Sequence, residues 1–507
     1  MKISSAKGII FSLFALLSSC SSKSTRLGDN QENFCSFLKP DIEAIHQSME
    51  ENLAVFRIDA RRKKIEEIAY TQQLGRASHC TSNVQAIQIL QEYFASFHDP
   101  HLRPWWDIPS NLTGLVNVSL GHQPIKMQWK LPPSFATGVY LRKMGNGYFV
   151  KNLDKSFSLD SVKIGDELLS CDGKTATQIM DNEILPYLSV SDKNAARYLF
   201  GASIFFRIDK DNASVSSCEF SSLQGKHYHI QLSWREVASS YLEQFHVKSN
   251  EPIYKLESIP HGHWVKLSSL AAYDEKSVAL LKHFSEDAFK LRKDEILVLD
   301  LRGNGGGDSS WGDAWMKNLW GRSPNVPQKP DSILASAGNI GHYERLYGFK
   351  KNSGAFSTAE NEKDFQSLLN LMHSHFNQLA DGYNDDESKE ENSHEQLRFH
   401  GKLYVVSDFG VFSSGELFLQ KLLQMPKVIQ IGIATNASTQ SGDIRFDQTP
   451  HGLIFSIGTK VFRSIFINRN PGEPLMPKIS IVQQPKIEFA GRDSMREQIE
   501  KLLEQRP

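Results

Sequence analysis

Two turns in this chain carry the residue types of a hydrolytic site. The first is Asp300-Leu301-Arg302-Gly303-Asn304-Gly305-Gly306-Gly307, directly after the unbroken apolar run Ile296–Leu299. Successive glycines let a backbone take positive φ, approach a ligand closely and present bare N–H groups to an anion or an oxyanion. The second turn runs from Asp408 to Glu416, between the strand candidate Lys402–Ser407 and a helical run Leu417–Met425. Ser413 stands where strand gives way to helix. The N–H groups of Ser414 and Gly415 then face out of a helix start, where the dipole favours negative charge. Val428–Ile433 is a third strand candidate and completes a βαβ unit. A Gly-rich turn that binds nothing is the competing reading of the first segment. A phosphate loop is excluded, because Asp308 and Ser309 follow the glycines where a Lys is required.

Taken together, DLRGNGGG resembles the D-x-R-x-N-x-G-G signature of the tail-specific, or S41, serine peptidases, and VFSSGE resembles their nucleophile turn. The resemblance implies an α/β fold with a ClpP/crotonase-like peptidase core. It places the nucleophile on Ser413 and the oxyanion hole on the N–H of Gly306 or Gly305 with that of Ser414. Asp300, Arg302, Asn304 and Glu416 become supporting motif residues. No metal and no organic cofactor is implied, and the expected substrate is a peptide or an unfolded protein tail.

A serine hydroxyl is a weak nucleophile until a base takes its proton. One branch of the family uses a Lys after a G-x-x-T segment. Here that segment resembles Gly432-Ile433-Ala434-Thr435, and Ser438 and its neighbours follow it without a Lys. The tricorn-like branch uses a distant His, and Asp99-Pro100-His101-Leu102 resembles its D-G-H-[TS] motif. His101 is therefore the expected base, with His98 as competitor. Glu473, in a stretch resembling the family's E-x-x-G-x-x-P-D, is the expected orienting carboxylate. The tricorn-like pattern also has a serine beside its His, and Pro100 stands there instead. Lys427 and Lys460 remain the candidates for a Ser-Lys dyad. The second function that the departures leave open is an inactive lipoprotein using the fold as a peptide-binding or scaffold module.

These residues need a helical platform, a sheet and a long return. Residues 31–100 have helical periodicity, with Val84, Ile87, Ile89, Leu90, Tyr93 and Phe94 on one mostly apolar side. Ile164–Lys174 resembles the core of PDZ domains, whose sheet edge takes up peptides; without the usual carboxylate-binding loop, a purely structural module is equally open. Gln224-Gly225-Lys226 marks a hairpin. His263–Ser268 resembles the strand that opens the peptidase core. Asp274 can cap the next helix, whose apolar face is Val278, Leu281, Phe284, Ala288 and Leu291. The expected order is a signal segment at 1–19, a tether and N-terminal helical domain at 20–110, a PDZ-like module with a following helix and hairpin at 111–245, and a core at 246–507. An insertion near 325–398 interrupts the core. Its start is Pro-rich, its middle has a helical pattern around Phe365–Leu379, and its acidic end, Asp381–Glu395, lacks large aliphatic residues; a long surface loop is the default reading, with His373, His375 and His394 as solvated histidines rather than a metal cluster.

The chain has 507 residues and a formal net charge of -1, which gives no electrostatic basis for a nucleic-acid partner. Lys2, Lys7, the short apolar stretch Gly8–Leu17 and Leu17-Ser18-Ser19-Cys20 resemble a bacterial lipoprotein signal. That resemblance implies cleavage before Cys20, its lipidation, and, with Ser21 next, anchoring at the periplasmic face of the outer membrane. The competing reading is an ordinary signal peptide. Cys35, Cys80, Cys171 and Cys218 fit no zinc motif, and an oxidising compartment permits disulfides. Four thiols allow three pairings, of which Cys35–Cys80 would join two N-terminal helices.

Overall fold

The structure is a computed structural model. It describes residues 33–505, apart from 107, 109–112, 122, 124–127, 133, 158, 160, 191, 209–214, 239–240, 243–251, 272–274, 322–330, 354–358, 382–397, 438–440, 463–469 and 471. Cys20, Asp274, His394, Ser438 and most of the acidic stretch lie outside the described residues.

At the centre is a six-stranded sheet in the order Tyr254–Ile259, Gly262–Leu267, Ile296–Asp300, Lys402–Ser407, Val428–Gly432 and Ile479–Ser480. The first pair is an antiparallel hairpin and the remaining pairs are parallel. The strand Ile296–Asp300 is buried at every position, as its uninterrupted apolar run predicts for a strand covered on both faces. Its side chains divide by the two-residue period. Leu297 and Leu299, with Leu403 and Val405, pack under the helices Glu275–Asp287, Ser310–Trp320 and Ser414–Leu422. There the rings of Phe284 and Trp315 stack with centroids 5.5 Å apart. Ile296 and Val298, with Tyr404 and Val406, face Met495 and Ile499 of the C-terminal helix Ser494–Glu504. Because the two central strands are parallel and Asp300 is level with Val406, both motif turns emerge at the same edge of the sheet.

The helices Phe34–Asn52, Ala60–Ala77 and Asn83–Ala95 share one apolar cluster with Leu453, Phe455, Ile457 and Val461. The last three belong to Ile454–Val461, the spine of a second sheet. Pro104–Trp105 pairs with this spine on one side, and Ser332–Leu334 and Ser441–Gln448 also pair with it. Leu379–Asp381 extends the sheet beyond Ser332–Leu334.

Within 325–398 the helical middle read around Phe365–Leu379 overlaps an observed helix, while the reading of the insertion as a surface loop is corrected. Its described parts are two strands of the second sheet and two helices, Ala337–Ser353 and Ala359–Ser374, around a core that includes Ile333, Tyr343, Leu368, Leu369 and Met372. Ser336 Oγ donates to Asn52 Oδ1 at 2.7 Å, and Asn339 Nδ2 donates to the Asn52 carbonyl at 3.0 Å, fastening the segment to the first helix. Composition misleads because the three-residue strand Ser332–Leu334 gains its pairing from Ile454–Val461, far along the chain, and no local pattern announces that partner. His373 faces Glu344 at 3.0 Å and His375 turns to the Leu371 carbonyl at 3.0 Å. Among the described residues no group of three or more His, Cys, Asp or Glu is placed to hold a metal ion, and no helix is long and apolar enough to cross a membrane.

Between helices and core lies a small antiparallel sheet, Val139–Met144, Gly147–Leu153, Glu167–Cys171, Ser217–Ser221 and His227–Gln231 in spatial order, with Lys174–Thr175 beside the third strand. Cys171 and Cys218 are register partners on neighbouring strands and form one disulfide; Cys35 and Cys80 form the other. They close loops with sequence separations of 45 and 47, worth about 4 kcal/mol each in the chain-entropy account. Full reduction should therefore lower the thermal midpoint by about 5 °C or more. A melt that stays in place with four titratable thiols would remove both bonds from the account of stability.

Candidate active site

The loop after Ile296–Asp300 is a set of clasps. Arg302 donates to both carboxylate oxygens of Asp300, at 2.8 and 2.6 Å, and to both of Asp493, at 2.9 and 2.7 Å. Asp493 also caps the helix Ser494–Glu504 through the Arg496 N–H. Burial pushes its carboxyl up, but the Arg302 contacts outweigh that and hold it below the usual carboxylate range. Asp300 and Arg302 thus tie the sheet edge to the C-terminal helix. Asn304 is fully buried, and its side chain spans from the Leu267 carbonyl (3.0 Å) to the Gly306 N–H (3.0 Å). Its own carbonyl accepts from Phe412 N at 3.0 Å, so it also fixes the serine turn.

Asp408 is the second fixing point. One carboxylate oxygen accepts the Gly303 and Gly410 N–H groups at 2.9 Å each, and the other accepts the Tyr198 hydroxyl at 3.3 Å. Burial pushes this carboxyl up, against the pull of those two N–H groups. Gly306 has φ +104, and a Cβ there would stand 2.9 Å from Ser414 N and 3.0 Å from Ser413 Cβ. Only glycine permits that approach of the two turns.

Ser413 immediately precedes the nine-residue helix Ser414–Leu422 and holds φ 54 and ψ -128. A non-glycine residue in that conformation is strained, and strain at a strand-to-helix turn is how a nucleophile is pushed out of its backbone. Its hydroxyl makes no hydrogen bond among the described residues. The neighbouring Ser414 hydroxyl donates to the Gly307 carbonyl at 2.6 Å and serves as a tie between the turns. Of the expected oxyanion donors, the Gly306 N–H is engaged by Asn304 Oδ1. Those of Gly305 and Ser414 have no protein acceptor among the described residues. Glu416 is buried and accepts the Thr435 hydroxyl at 2.9 Å. Thr435 Oγ1 accepts in turn from Leu475 N at 2.9 Å, holding the late segment against the helix start.

His101 reaches this turn from the N-terminal part of the chain. Its ring centroid is 5.0 Å from that of Phe412, the residue before Ser413. Ser456 Oγ donates to the His101 carbonyl at 2.6 Å, and Pro104 and Trp105 pair with Phe455 and Ile454, so the second sheet sets its position. Behind the ring is Asp99, fully buried: its Oδ1 lies 3.2 Å from His101 Nδ1 and accepts the His101 N–H at 3.0 Å. Arg62 Nη1 stands 3.7 Å from the other oxygen. Asp99 was within the quoted motif, yet nothing in a two-residue spacing shows that its carboxylate folds back onto the imidazole.

The other candidates have partners of their own. His98 is exposed, with Nδ1 3.4 Å from the Val190 carbonyl. Glu473 is exposed and accepts from Asn470, side chain at 2.7 Å and N–H at 3.0 Å. Lys427 lies at the opposite end of the parallel strands, donating to the His400 carbonyl at 2.8 Å. The six-residue strand Lys402–Ser407 separates it from the serine turn by ~20 Å, at ~3.3 Å per residue. Lys460 is near Asp331 and Asp443 at 3.9 Å each, four residues and ~13 Å along the strand from Ser456.

Neither a family model nor a curated protein sequence matches this chain. Solved structures do. Mature CPAF complexed with lactacystin superposes with a TM-score of 0.63 at 12% identity, covering 93% of this chain and 99% of that one. Mature CPAF alone gives 0.62 at 11% identity, with 93% and 98% covered. A serine-to-alanine CPAF mutant gives 0.63 at 12%, with 93% and 98% covered. The fold expected from the two motifs, an S41-like peptidase fold with helices before it, is the fold observed.

Proposed function

We propose that this chain is a serine peptidase acting on peptides or unfolded protein tails, with Ser413 as nucleophile and His101 as general base. The observation that carries the reading is the meeting of the strained Ser413 turn with the His101 ring, backed by a buried carboxylate. Ser413 Oγ attacks the scissile carbonyl while the imidazole takes its proton through Nε2. Asp99, facing Nδ1, fixes the tautomer and stabilises the imidazolium. The N–H groups of Ser414 and Gly305 receive the developing oxyanion, a stabilisation of about 3–4 kcal/mol per donor. The imidazolium then protonates the leaving amine, and water releases the acyl group by the reverse sequence. We assign the orienting role to Asp99 on its 3.2 Å approach to Nδ1, with Glu473 as the alternative carboxylate.

A fluorophosphonate probe tests this directly. The expected result is a single adduct, mapped by mass spectrometry to Ser413. A folded sample that stays unlabelled, while binding peptides, supports a non-catalytic binding module instead.

The site of action is proposed from sequence alone: lipidation of Cys20 and anchoring at the periplasmic face of the outer membrane. Cys20→Ala should shift the protein out of the membrane fraction or block its processing. Identical soluble fractionation of wild type and variant would reject the anchor.

A further inference from the structure

The helix Ala60–Ala77 is held from one side only. Its buried positions are Glu66, Ala69, Gln73 and Ala77. Glu66 Oε1 lies 2.8 Å from His46 Nδ1 and also accepts the Tyr93 hydroxyl, while Tyr70 stacks on His46 with ring centroids 3.8 Å apart. These inward contacts settle the roll of the helix. Arg61, Lys64, Ile65, Ile68 and Gln72, at helical spacing on the opposite side, are all exposed.

That outer side pairs apolar groups with unmatched cations. Ile65 and Ile68 are 38% and 58% exposed, and Ile58, just before the helix, is 36% exposed. Of the eight large apolar side chains exposed among the described residues, these three fall within eleven positions, a patch rather than scatter. Arg57, Arg61 and Lys64 are exposed and make no ion pair among the described residues. Their neighbours do: Arg62 stands 3.7 Å from Asp99 and Lys63 2.7 Å from Glu50. Glu67 is the one exposed acid of the helix. Isoleucines bracketed by free Arg and Lys are the composition of a helix that lies in the plane of an anionic lipid surface.

The chain's own connections put such a surface within reach. Cys35, in the first turn of Phe34–Asn52, is bonded to Cys80, three residues past the end of Ala60–Ala77. The N-terminal segment therefore joins the helices at one end of the patch helix. Ile68 is ~18 Å from that end at a helical rise. Residues 21–33 span at most ~45 Å when fully extended.

We propose that the face Arg61, Lys64, Ile65 and Ile68, with Arg57 and Ile58, docks on anionic phospholipid headgroups of the leaflet that holds the anchor. The proposal rests on the lipid anchor at Cys20 and adds a second, non-covalent contact. Isoleucine side chains enter the headgroup boundary while the cations meet phosphates, an attraction that falls off within a Debye length. One acyl anchor plus a basic patch holds a protein at a membrane more firmly than the anchor alone, and it fixes which side faces the lipid.

The test uses the full lipidated chain carrying Ile68→Cys, labelled there with an environment-sensitive fluorophore. It is reconstituted into phosphatidylcholine vesicles containing or lacking phosphatidylglycerol. Acrylamide, a neutral quencher, reads access from water. With phosphatidylglycerol present, the emission should shift to the blue and quenching should fall by about threefold or more, as for a group at the acyl boundary. Adding Arg61→Gln and Lys64→Gln should return both to their values in buffer. The same label on Lys226→Cys, in the hairpin Gln224-Gly225-Lys226, should stay fully quenched. A probe at 68 that remains equally quenched in both vesicles overturns the proposal. Protection in buffer without vesicles overturns it too: a concentration-dependent effect assigns the face to a second copy, and a concentration-independent one to another segment of the same chain. Loss of the anchor reading shows differently, as wild-type chain that fractionates as soluble protein, and it takes this proposal with it.

Discussion

Ser413→Ala should abolish both probe labelling and peptide hydrolysis, a loss on the order of 10^6-fold in kcat by analogy with other serine nucleophiles. The fold should be untouched. The hydroxyl makes no hydrogen bond among the described residues, and the backbone strain at φ 54 is the same for alanine, so the stability change stays within about 0.5 kcal/mol. Ser414→Ala is the contrasting variant. It removes the 2.6 Å bond to the Gly307 carbonyl and should cost about 1 kcal/mol of stability while leaving a labelled Ser413. Thermal melts and adduct mapping on the two variants decide the matter: labelling retained in Ser413→Ala and lost in Ser414→Ala moves the nucleophile by one residue.

His101→Gln should reduce kcat by about 10^4-fold or more, since the hydroxyl then has no base at all. Asp99→Asn should come close, at up to about 10^4-fold, because an amide at 3.2 Å from Nδ1 stabilises neither the tautomer nor the imidazolium. Both losses belong in kcat rather than KM, as the groups act on the transition state. Glu473→Gln distinguishes the two carboxylates. The larger loss is expected from Asp99→Asn, and the reverse order would hand the orienting role to Glu473. Activity that survives His101→Gln would end the assignment of the base.

Much of this site is readable along the chain because its parts are local. Four successive apolar residues ahead of a glycine-rich turn specify a buried strand and a positive-φ loop. A serine between a strand and a helix specifies a turn with N–H groups facing out. Each inference spans fewer than about ten residues, where backbone sterics and helix ends suffice. The motif pair also gave the fold, and the pairing Cys35–Cys80 was among the few that the cysteines allowed.

Tertiary structure decided which of those groups are in use. Gly306 and Gly305 are equivalent in sequence, yet the Asn304 side chain takes the Gly306 N–H and leaves that of Gly305. Lys427 follows the same helix that Ser413 begins, yet a parallel sheet sends it to the far end of the strands. His101 meets Phe412 only because Pro104 and Trp105 register with Ile454 and Phe455, residues placed by the second sheet. The strand Ser332–Leu334 formed for the same reason, through pairing with Ile454–Val461, and Leu379–Asp381 pairs with it in turn, whereas the helical pattern around Phe365–Leu379 was legible locally. The physical division is one of range. Local geometry and glycine placement are encoded where they act, whereas strand register and the choice among equivalent polar groups depend on partners brought close only when the sheets close.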